Sequence, residues 1–358
     1  MEKMGDEFTK ARSMEFPRNV LIGHDIVTDI VPLSKHLNFL NTGMIISGNN
    51  TYKSAGSQIK DLLTDDGYSI SDFMTGEATL SNVEKAIEHA KETKSKFIVA
   101  VGGGSKIDIA KMVASKLNIP FISVPTSAAH DGIASNRASL KADMGPKSVE
   151  AVTPTAIHAD TKLISDAPYR YLASGCADVI SNLTALKDWD YAHRLRAEPF
   201  SSSAHSLSLH AANTIMENAK MIKPNSEESV WLAMRPIIIS GISMAVAGSS
   251  RPTSGSEHMF SHALDIMHPG KAMHGEQCGV GCIMMMYLHG GDWKSIRNAL
   301  MKIGAPVNAT DLGLKNDDIV DALMTAHKIR PDRFTILGDN GLNRESAENI
   351  AKLTMVIE

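Results

Sequence analysis

The chain predicts an α/β N-terminal domain with a mostly parallel sheet, followed by an all-α C-terminal domain. Up to about residue 165, short apolar runs alternate with amphipathic stretches, the pattern of βαβ units. Beyond that point β-branched runs become sparse and long helical patterns take over. The length, 358 residues, suits two domains at about 150 residues each. We place them at 1–165 and 166–358.

The elements follow in order. Met44-Ile45-Ile46-Ser47 reads as a buried strand ending at Gly48. Residues 51–63 carry Ile59, Leu62 and Leu63 at helical spacing, and Tyr68 to Phe73 suits a second strand. Ser81 with Glu84 three residues on predicts a capping box and a helix from about Asn82 to Lys94. Phe97-Ile98-Val99-Ala100-Val101 is the clearest strand. It enters Gly102-Gly103-Gly104, after which a helix is expected from about Lys106 to Leu117. Pro120 to Val124 is the next strand. Ligands of such a sheet bind at the carboxyl ends of its strands. In the second half the helical patterns are Tyr169–Ala192, Ser203–Ala219, Glu227–Ala247, Glu257–Asp265 and Gln277–His289, with a loop at Ser249–Ser256.

Composition narrows the function. A formal charge of −4, from 36 Lys+Arg against 40 Asp+Glu, lacks the basic footprint of a non-specific nucleic-acid binder. Three cysteines, Cys176, Cys278 and Cys282, are too few for a disulfide framework and suit a reducing compartment. The start, Met1 to Glu7, has no apolar core for a signal peptide. The apolar run Pro236–Gly248 is broken by Ser240, Gly241 and Ser243 and falls short of the roughly 20 residues of a membrane span. A cytoplasmic protein with no membrane span and a small-molecule partner is expected.

Two motifs suggest chemistry. Gly102-Gly103-Gly104-Ser105, between strand and helix, lets the backbone approach a bulky anion at a helix N-terminus, where a pyrophosphate is stabilised. Ile107 breaks the strict G-x-G-x-x-G fingerprint, so a tight turn without ligand remains the other reading. Asp108 suits the helix dipole equally well. Thr126 and Ser127 follow the neighbouring strand, where their hydroxyls suit a cofactor, and Asp131 suits a substrate hydroxyl; a capped loop is the plain alternative.

The second motif is a cluster of histidines. His258, His262, His268 and His274 fall within 17 residues, where an even spread of the chain's fourteen histidines leaves fewer than one. His258 and His262 share a helix face, and a third imidazole from the following loop can meet them at one cation. Met259 excludes the H-E-x-x-H protease arrangement. A structural role is the alternative reading. Asp178, in the otherwise apolar Ser174–Ile180 stretch, suits the anionic ligand, or else a helix-terminal charge. Cys278 and Cys282 read as buried structural thiols.

Taken together, Gly102-Gly103-Gly104-Ser105-Lys106-Ile107-Asp108, Pro125-Thr126-Ser127, His130-Asp131-Gly132-Ile133-Ala134-Ser135, the run Arg251 to Asp265, and His274-Gly275-Glu276-Gln277 resemble the superfamily of iron-containing alcohol dehydrogenases, glycerol dehydrogenases and dehydroquinate synthases. Within it they are most similar to the archaeal sn-glycerol-1-phosphate dehydrogenases, from about residue 16 onward. The segments Leu288–Trp293 and Ile329–Gly338 also fit. The resemblance implies a dehydroquinate synthase-like fold, NAD(H) or NADP(H), one Zn²⁺ per subunit, and reduction of dihydroxyacetone phosphate to sn-glycerol 1-phosphate for archaeal membrane lipids. It implies Asp178, His258 and His274 as metal ligands, and Asp131, Asp178 and His262 at the substrate. Gly102, Gly103, Gly104, Ser105, Lys106, Asp108, Thr126, Ser127 and Ser135 would hold the dinucleotide. His262 is expected as proton donor or relay; as a fourth ligand it would suit iron instead. Arg251, Arg137 and Lys141 are the phosphate candidates. The relatives form homo-oligomers. A glycerol or other polyol dehydrogenase, a lyase-type relative, or an inactive nucleotide- or metal-binding protein are the alternatives.

Overall fold

The computed structural model describes residues 14–142 and 145–358; the segment read for a signal peptide lies outside them. In chain order the first half runs β1 (Asn19–Gly23), α1 (Ile30–His36), β2 (Thr42–Ser47), α2 (Asn49–Thr51), a π-helical turn at Tyr52–Gly56, α3 (Ser57–Asp65), β3 (Ser69–Met74), α4 (Leu80–Glu92), β4 (Phe97–Gly102), α5 (Gly104–Leu117), β5 (Phe121–Pro125), β6 (Arg137–Ala142), β7 (Gly145–Glu150) and β8 (Ala156–Asp160). Six strands pair in parallel in the order β1-β8-β5-β4-β2-β3, as the alternation of elements predicts. β6 and β7 form a separate antiparallel hairpin.

The strands β2, β4, β5 and β8 are buried on both faces, and the edge strands β1 and β3 are partly open. This is the burial a parallel sheet covered by helices requires. Side chains alternate between two cores. Ile45, Val99, Val101, Ile122 and Val124 face the side of Ile30, Leu33, Ile59 and Leu63. Met44, Ile46, Ile98, Ala100, Phe121 and Ile157 face Val83, Ala86, Ile107 and Val113. Each such side chain, fully buried, contributes about 1.5–3 kcal/mol.

One local expectation shifts, and three strands appear that the sequence reading did not assign. Helix α4 is capped by Thr79, whose hydroxyl accepts from the Asn82 N–H, rather than by Ser81. The hairpin and β8 were not legible, since β8 reads Ala-Ile-His-Ala-Asp and the hairpin mixes Lys, Arg and Pro with few apolar residues.

The second half is helical: α6 (Thr161–Ser165), α7 (Tyr169–Arg196), α8 (Ser202–Asn218), α9 (Glu227–Ala247), α10 (Ser256–Met267), α11 (His274–Leu288), α12 (Trp293–Ile303), α13 (Asn316–Thr325) and α14 (Arg344–Leu353). Helix α7 is the axis against which α8, α9, α10, α11 and α12 pack. Two glycines permit its closest contacts. A Cβ on Gly175 would lie 1.9 Å from the Ala128 carbonyl oxygen, and one on Gly275 would lie 2.0 Å from that of Ser174. The loop after β5 and the start of α11 therefore rest on the α7 backbone. Helix α9 is longer and more apolar than the interrupted run suggested. By length and composition it could cross a membrane, and two thirds of its apolar window (67%) is buried inside the protein.

Candidate active site

The strand order turns outward between β4 and β2: β4 connects to β5 on one side, β2 to β3 on the other. Such a switch point leaves a crevice at the carboxyl ends. A groove of about 1260 Å³ opens there, lined by Gly48 to Thr51, Thr75, Gly103, Gly104, Ser105, Lys106, Thr126, Ser127 and Tyr171. Gly103 and Gly104 stand at the start of α5, and their missing side chains matter. A Cβ on Gly104 would lie 1.9 Å from His130 Nε2, and one on Gly103 would lie 3.3 Å from Ser127 Oγ. Lys106 Nζ donates to the Gly76 carbonyl at 2.8 Å. The groove offers the helix N-terminus and hydroxyls that suit a pyrophosphate.

On the other side of the β5–β6 loop lies a smaller cavity of about 230 Å³, below the roughly 300–1,000 Å³ of drug-sized sites. Ala129 faces the groove, while His130 and Asp131 face the cavity. Its floor is a donor set from three helices: Asp178 on α7, His258 on α10 and His274 at the start of α11. Asp178 Oδ1 is 3.8 Å from His258 Nε2 and 3.7 Å from His274 Nε2. These separations are too long for hydrogen bonds. They are close to the spacing of two donors sharing one cation at about 2.0–2.2 Å each. The outer nitrogens are engaged: His258 Nδ1 meets Glu257 Oε1 at 2.9 Å, and His274 Nδ1 meets Ser261 Oγ at 3.0 Å. Both Nε2 lone pairs are thus turned inward, as metal-ligating histidines require. One carboxylate and two oriented imidazoles fit a divalent cation.

Electrostatics agree. Burial holds His258, His262 and His274 below the ordinary imidazole value; neighbouring positive charge adds to it, while Asp265 opposes it at His262 and His274. All three imidazoles are therefore neutral at neutral pH, and His258 and His274 are free to present a lone pair to a cation. Burial pushes Asp178 up, and pushes Asp131 up further with the Asp178 charge beside it. A carboxylate so placed gains from a cation. The Asp131 N–H donates to Asp178 Oδ2 at 3.1 Å, and Ser240 Oγ donates to Asp131 Oδ2 at 2.7 Å. His262 stacks on His274 with ring centroids 5.6 Å apart, and its Nδ1 stands 3.8 Å from Asp265 Oδ2.

Several expected residues sit elsewhere. Asp108 faces the small cavity, not the groove. Its carboxylate accepts from Lys111 Nζ and from the Ser139 N–H, both at 3.1 Å, so it pins the hairpin to α5 and lies outside the groove lining. Ser135 also lines the small cavity, with its hydroxyl on the Arg137 carbonyl at 3.1 Å. Gly102 is the last residue of β4 and lies behind the groove lining. Two phosphate candidates are spent on other partners. Arg251 grips both oxygens of Glu198 and the Phe334 carbonyl. Lys141 holds both oxygens of Glu77 at the surface, at 2.8 and 2.9 Å. Arg137 does line the cavity.

Other residues emerge only in three dimensions. Cys278 Sγ is 3.6 Å from His274 Nε2 and within reach of the same donor set; its i,i+4 spacing from His274 was the available signal. Glu257 is fully buried, accepting from the Gly255 N–H at 2.6 Å and Thr184 Oγ1 at 2.8 Å as well as meeting His258. Its place beside His258 in the sequence gave a hint, but its orientation did not follow from it. Arg330 was visible only within a matching segment, with no role.

Comparison with known proteins sharpens the picture. Residues 21–168 match the iron-containing alcohol dehydrogenase family. Over 347 residues, 97% of each chain, the sequence is 50% identical to an NAD(P)+ glycerol-1-phosphate dehydrogenase of Methanosarcina mazei. It is 48% identical over 347 residues to the corresponding protein of Methanosphaera stadtmanae, covering 97% of this chain and 99% of that one. Among solved structures, glycerol dehydrogenase from Schizosaccharomyces pombe aligns with a TM-score of 0.78 at 19% identity, over 97% of this chain and 91% of that one. NADH-dependent butanol dehydrogenase A from Thermotoga maritima aligns at 0.72 and 18% identity, over 96% and 98%. These two share the fold.

Proposed function

The chain belongs to the glycerol-1-phosphate dehydrogenase family, NAD(P)-dependent oxidoreductases acting on a CH–OH group, and from that premise we propose how its own residues divide the work. The substrate is dihydroxyacetone phosphate, reduced by NAD(P)H and a proton to sn-glycerol 1-phosphate, a backbone for membrane lipids made in the cytoplasm. The groove residues Gly103 to Lys106, Thr126 and Ser127 hold the dinucleotide along its pyrophosphate. Ser135 belongs to the end nearer the donor set. Asp178, His258 and His274 hold one Zn²⁺. When both groups are bound, zinc supplies Lewis acidity at the ketone oxygen and the nicotinamide supplies the hydride.

Everything else falls to side chains. Asp131, buried and held by Ser240, orients a substrate hydroxyl; its raised pKa keeps a proton available for that bond. His262, backed by Asp265, relays the proton to the product oxygen. The small cavity positions the ketone beside the groove. The observation that carries the reading is the Asp178–His258–His274 set facing a cavity beside the glycine groove. The test is NADH and NADPH oxidation with dihydroxyacetone phosphate and with unphosphorylated dihydroxyacetone, with and without a chelator, and chiral analysis of the product. Equal or better turnover of the unphosphorylated ketone would make the protein a polyol dehydrogenase. Turnover that survives full metal removal would end the zinc assignment.

A further inference from the structure

Two guanidinium groups line the small cavity with no carboxylate at ion-pair distance among the described residues. Arg137 comes from β6, and Arg330 from the chain just after the 3-10 turn Ala326–Lys328. Arg137 Nε and Nη2 donate to Ser148 Oγ and to the Ser148 carbonyl, both at 3.3 Å, and Arg330 Nη1 reaches Ser250 Oγ at 3.5 Å. All three are neutral acceptors at the long end of the range. Among the described residues neither arginine forms an ion pair. Every carboxylate of the cavity, in contrast, is engaged. Asp108 has Lys111 at 3.1 Å, Asp131 has Ser240 at 2.7 Å, Asp265 has the Gln277 amide at 3.1 Å, and Asp178 belongs to the metal set. The other arginines nearby are occupied: Arg251 by Glu198, and Arg333 by the Ser254 carbonyl and by Ser250 Oγ at 2.9 Å.

Two like charges in a partly desolvated cavity are unfavourable. Burial first, and the Arg137 charge second, hold Arg330 below the ordinary guanidinium value, although Asp332 opposes this. Such a pair is stable in place when an anion neutralises it. The lining adds hydroxyl donors at Ser139, Ser148, Ser250 and Thr253. Planar forks plus hydroxyls match a phosphate, which accepts several bidentate bonds, better than they match a carboxylate, which accepts one.

We propose that Arg137 and Arg330 form the phosphate subsite of this cavity, whose Asp178–His258–His274 set receives the ketone. The proposal rests on the phosphorylated-ketone reading above. Arg137 belongs to the sheet half of the chain and Arg330 to the helical half, so one phosphate ties both halves together and aligns the ketone while doing so. The selectivity of the enzyme for the phosphorylated substrate then resides in these two side chains.

The test uses Arg137→Met and Arg330→Met, which keep the apolar stem, together with Arg330→Lys. Each is assayed with dihydroxyacetone phosphate and with dihydroxyacetone, and each is melted with and without inorganic phosphate. Each Met variant is expected to lose about 10–100-fold in the ratio of kcat/KM for the phosphorylated over the plain ketone, mainly through KM, as loss of a charge-assisted fork predicts. The rise in Tm given by inorganic phosphate to the wild type should vanish in both Met variants and return in part in the Lys variant. If the Met variants do not fold, the Lys variant carries the test, since a point charge cannot fork and its KM should still rise. Unchanged KM and an unchanged phosphate-induced rise in Tm in the variants overturn the subsite. A wild type that ignores dihydroxyacetone phosphate sinks the substrate reading instead. In that case a phosphate-induced rise in Tm lost in the variants upholds the anion site, and one retained in them overturns it.

Discussion

The glycine groove and the metal cavity share one wall, the loop from Thr126 to Gly132, yet they are built by different means. The groove is largely backbone: the ends of β2 and β4, the first turn of α5, and the hydroxyls that follow β5. Parallel pairing of β2, β4 and β5 brings these pieces together. The cavity is made of side chains from residues as far apart as Asp108 and Arg330, on both halves of the chain. A backbone cradle tolerates any side chain that does not intrude. A convergent polar site depends on every partner, because each buried charge left alone is costly. Substitutions in the two regions should therefore fail in different ways.

The sharpest contrast is within the cavity floor. His258→Ala should lose bound metal and activity together, by at least about 10³-fold in kcat, as loss of a ligand and its Lewis acid implies. His262→Ala should keep its metal and lose about 10²–10⁴-fold in kcat. Metal analysis of the two purified proteins separates them; full metal in the His258 variant would refute its role as a ligand.

Next in size is Glu257→Gln, which alters the partner that orients His258. Metal affinity should fall about 10–100-fold, read by competition with a chromophoric chelator. Affinity equal to the wild type would mean that the 2.9 Å contact does nothing for the ligand.

In the groove, Gly104→Ala puts a methyl group against His130 Nε2. Overpacking of this kind costs about 1–3 kcal/mol. A raised KM for NAD(P)H and a lower Tm should appear with metal content unchanged. Metal loss in this variant would show that the two regions are not separable.

The smallest effect concerns pH. His158, buried in β8 with Nε2 on the Ile26 carbonyl at 2.9 Å, is held below its ordinary value of 6.5 by burial. Its folded pKa is depressed, so its contribution to stability is whole above pH 6.5 and is lost as pH falls past that value. The urea midpoint should drop from pH 8 to pH 5, and His158→Gln should drop less. An equal drop in both would place the acid sensitivity elsewhere.

Much of the groove was legible because its signals are local. A run of five apolar residues into three glycines specifies strand, turn and helix start within a dozen positions. The hairpin β6–β7 carries no such run, and β8 interrupts its apolar residues with His158 and ends in Asp160. In the cavity, His258 and His262 were visible through helical spacing, and Asp178 as a carboxylate among apolar neighbours. The charges of Asp108 and Arg251 are taken up by Lys111 and Glu198, and nothing in the local sequence marks that pairing.

The order of amino acids by itself determined the alternation of strands and helices, the glycine turn, and a set of imidazoles suited to a cation. These follow from steric preference and periodicity over a few residues. Tertiary structure alone decided which charges are left unanswered. The partner of a buried ion is whatever the fold brings within a few ångströms of it, and Arg330 became conspicuous only once the hairpin, α10 and the segment after α13 had closed around one cavity.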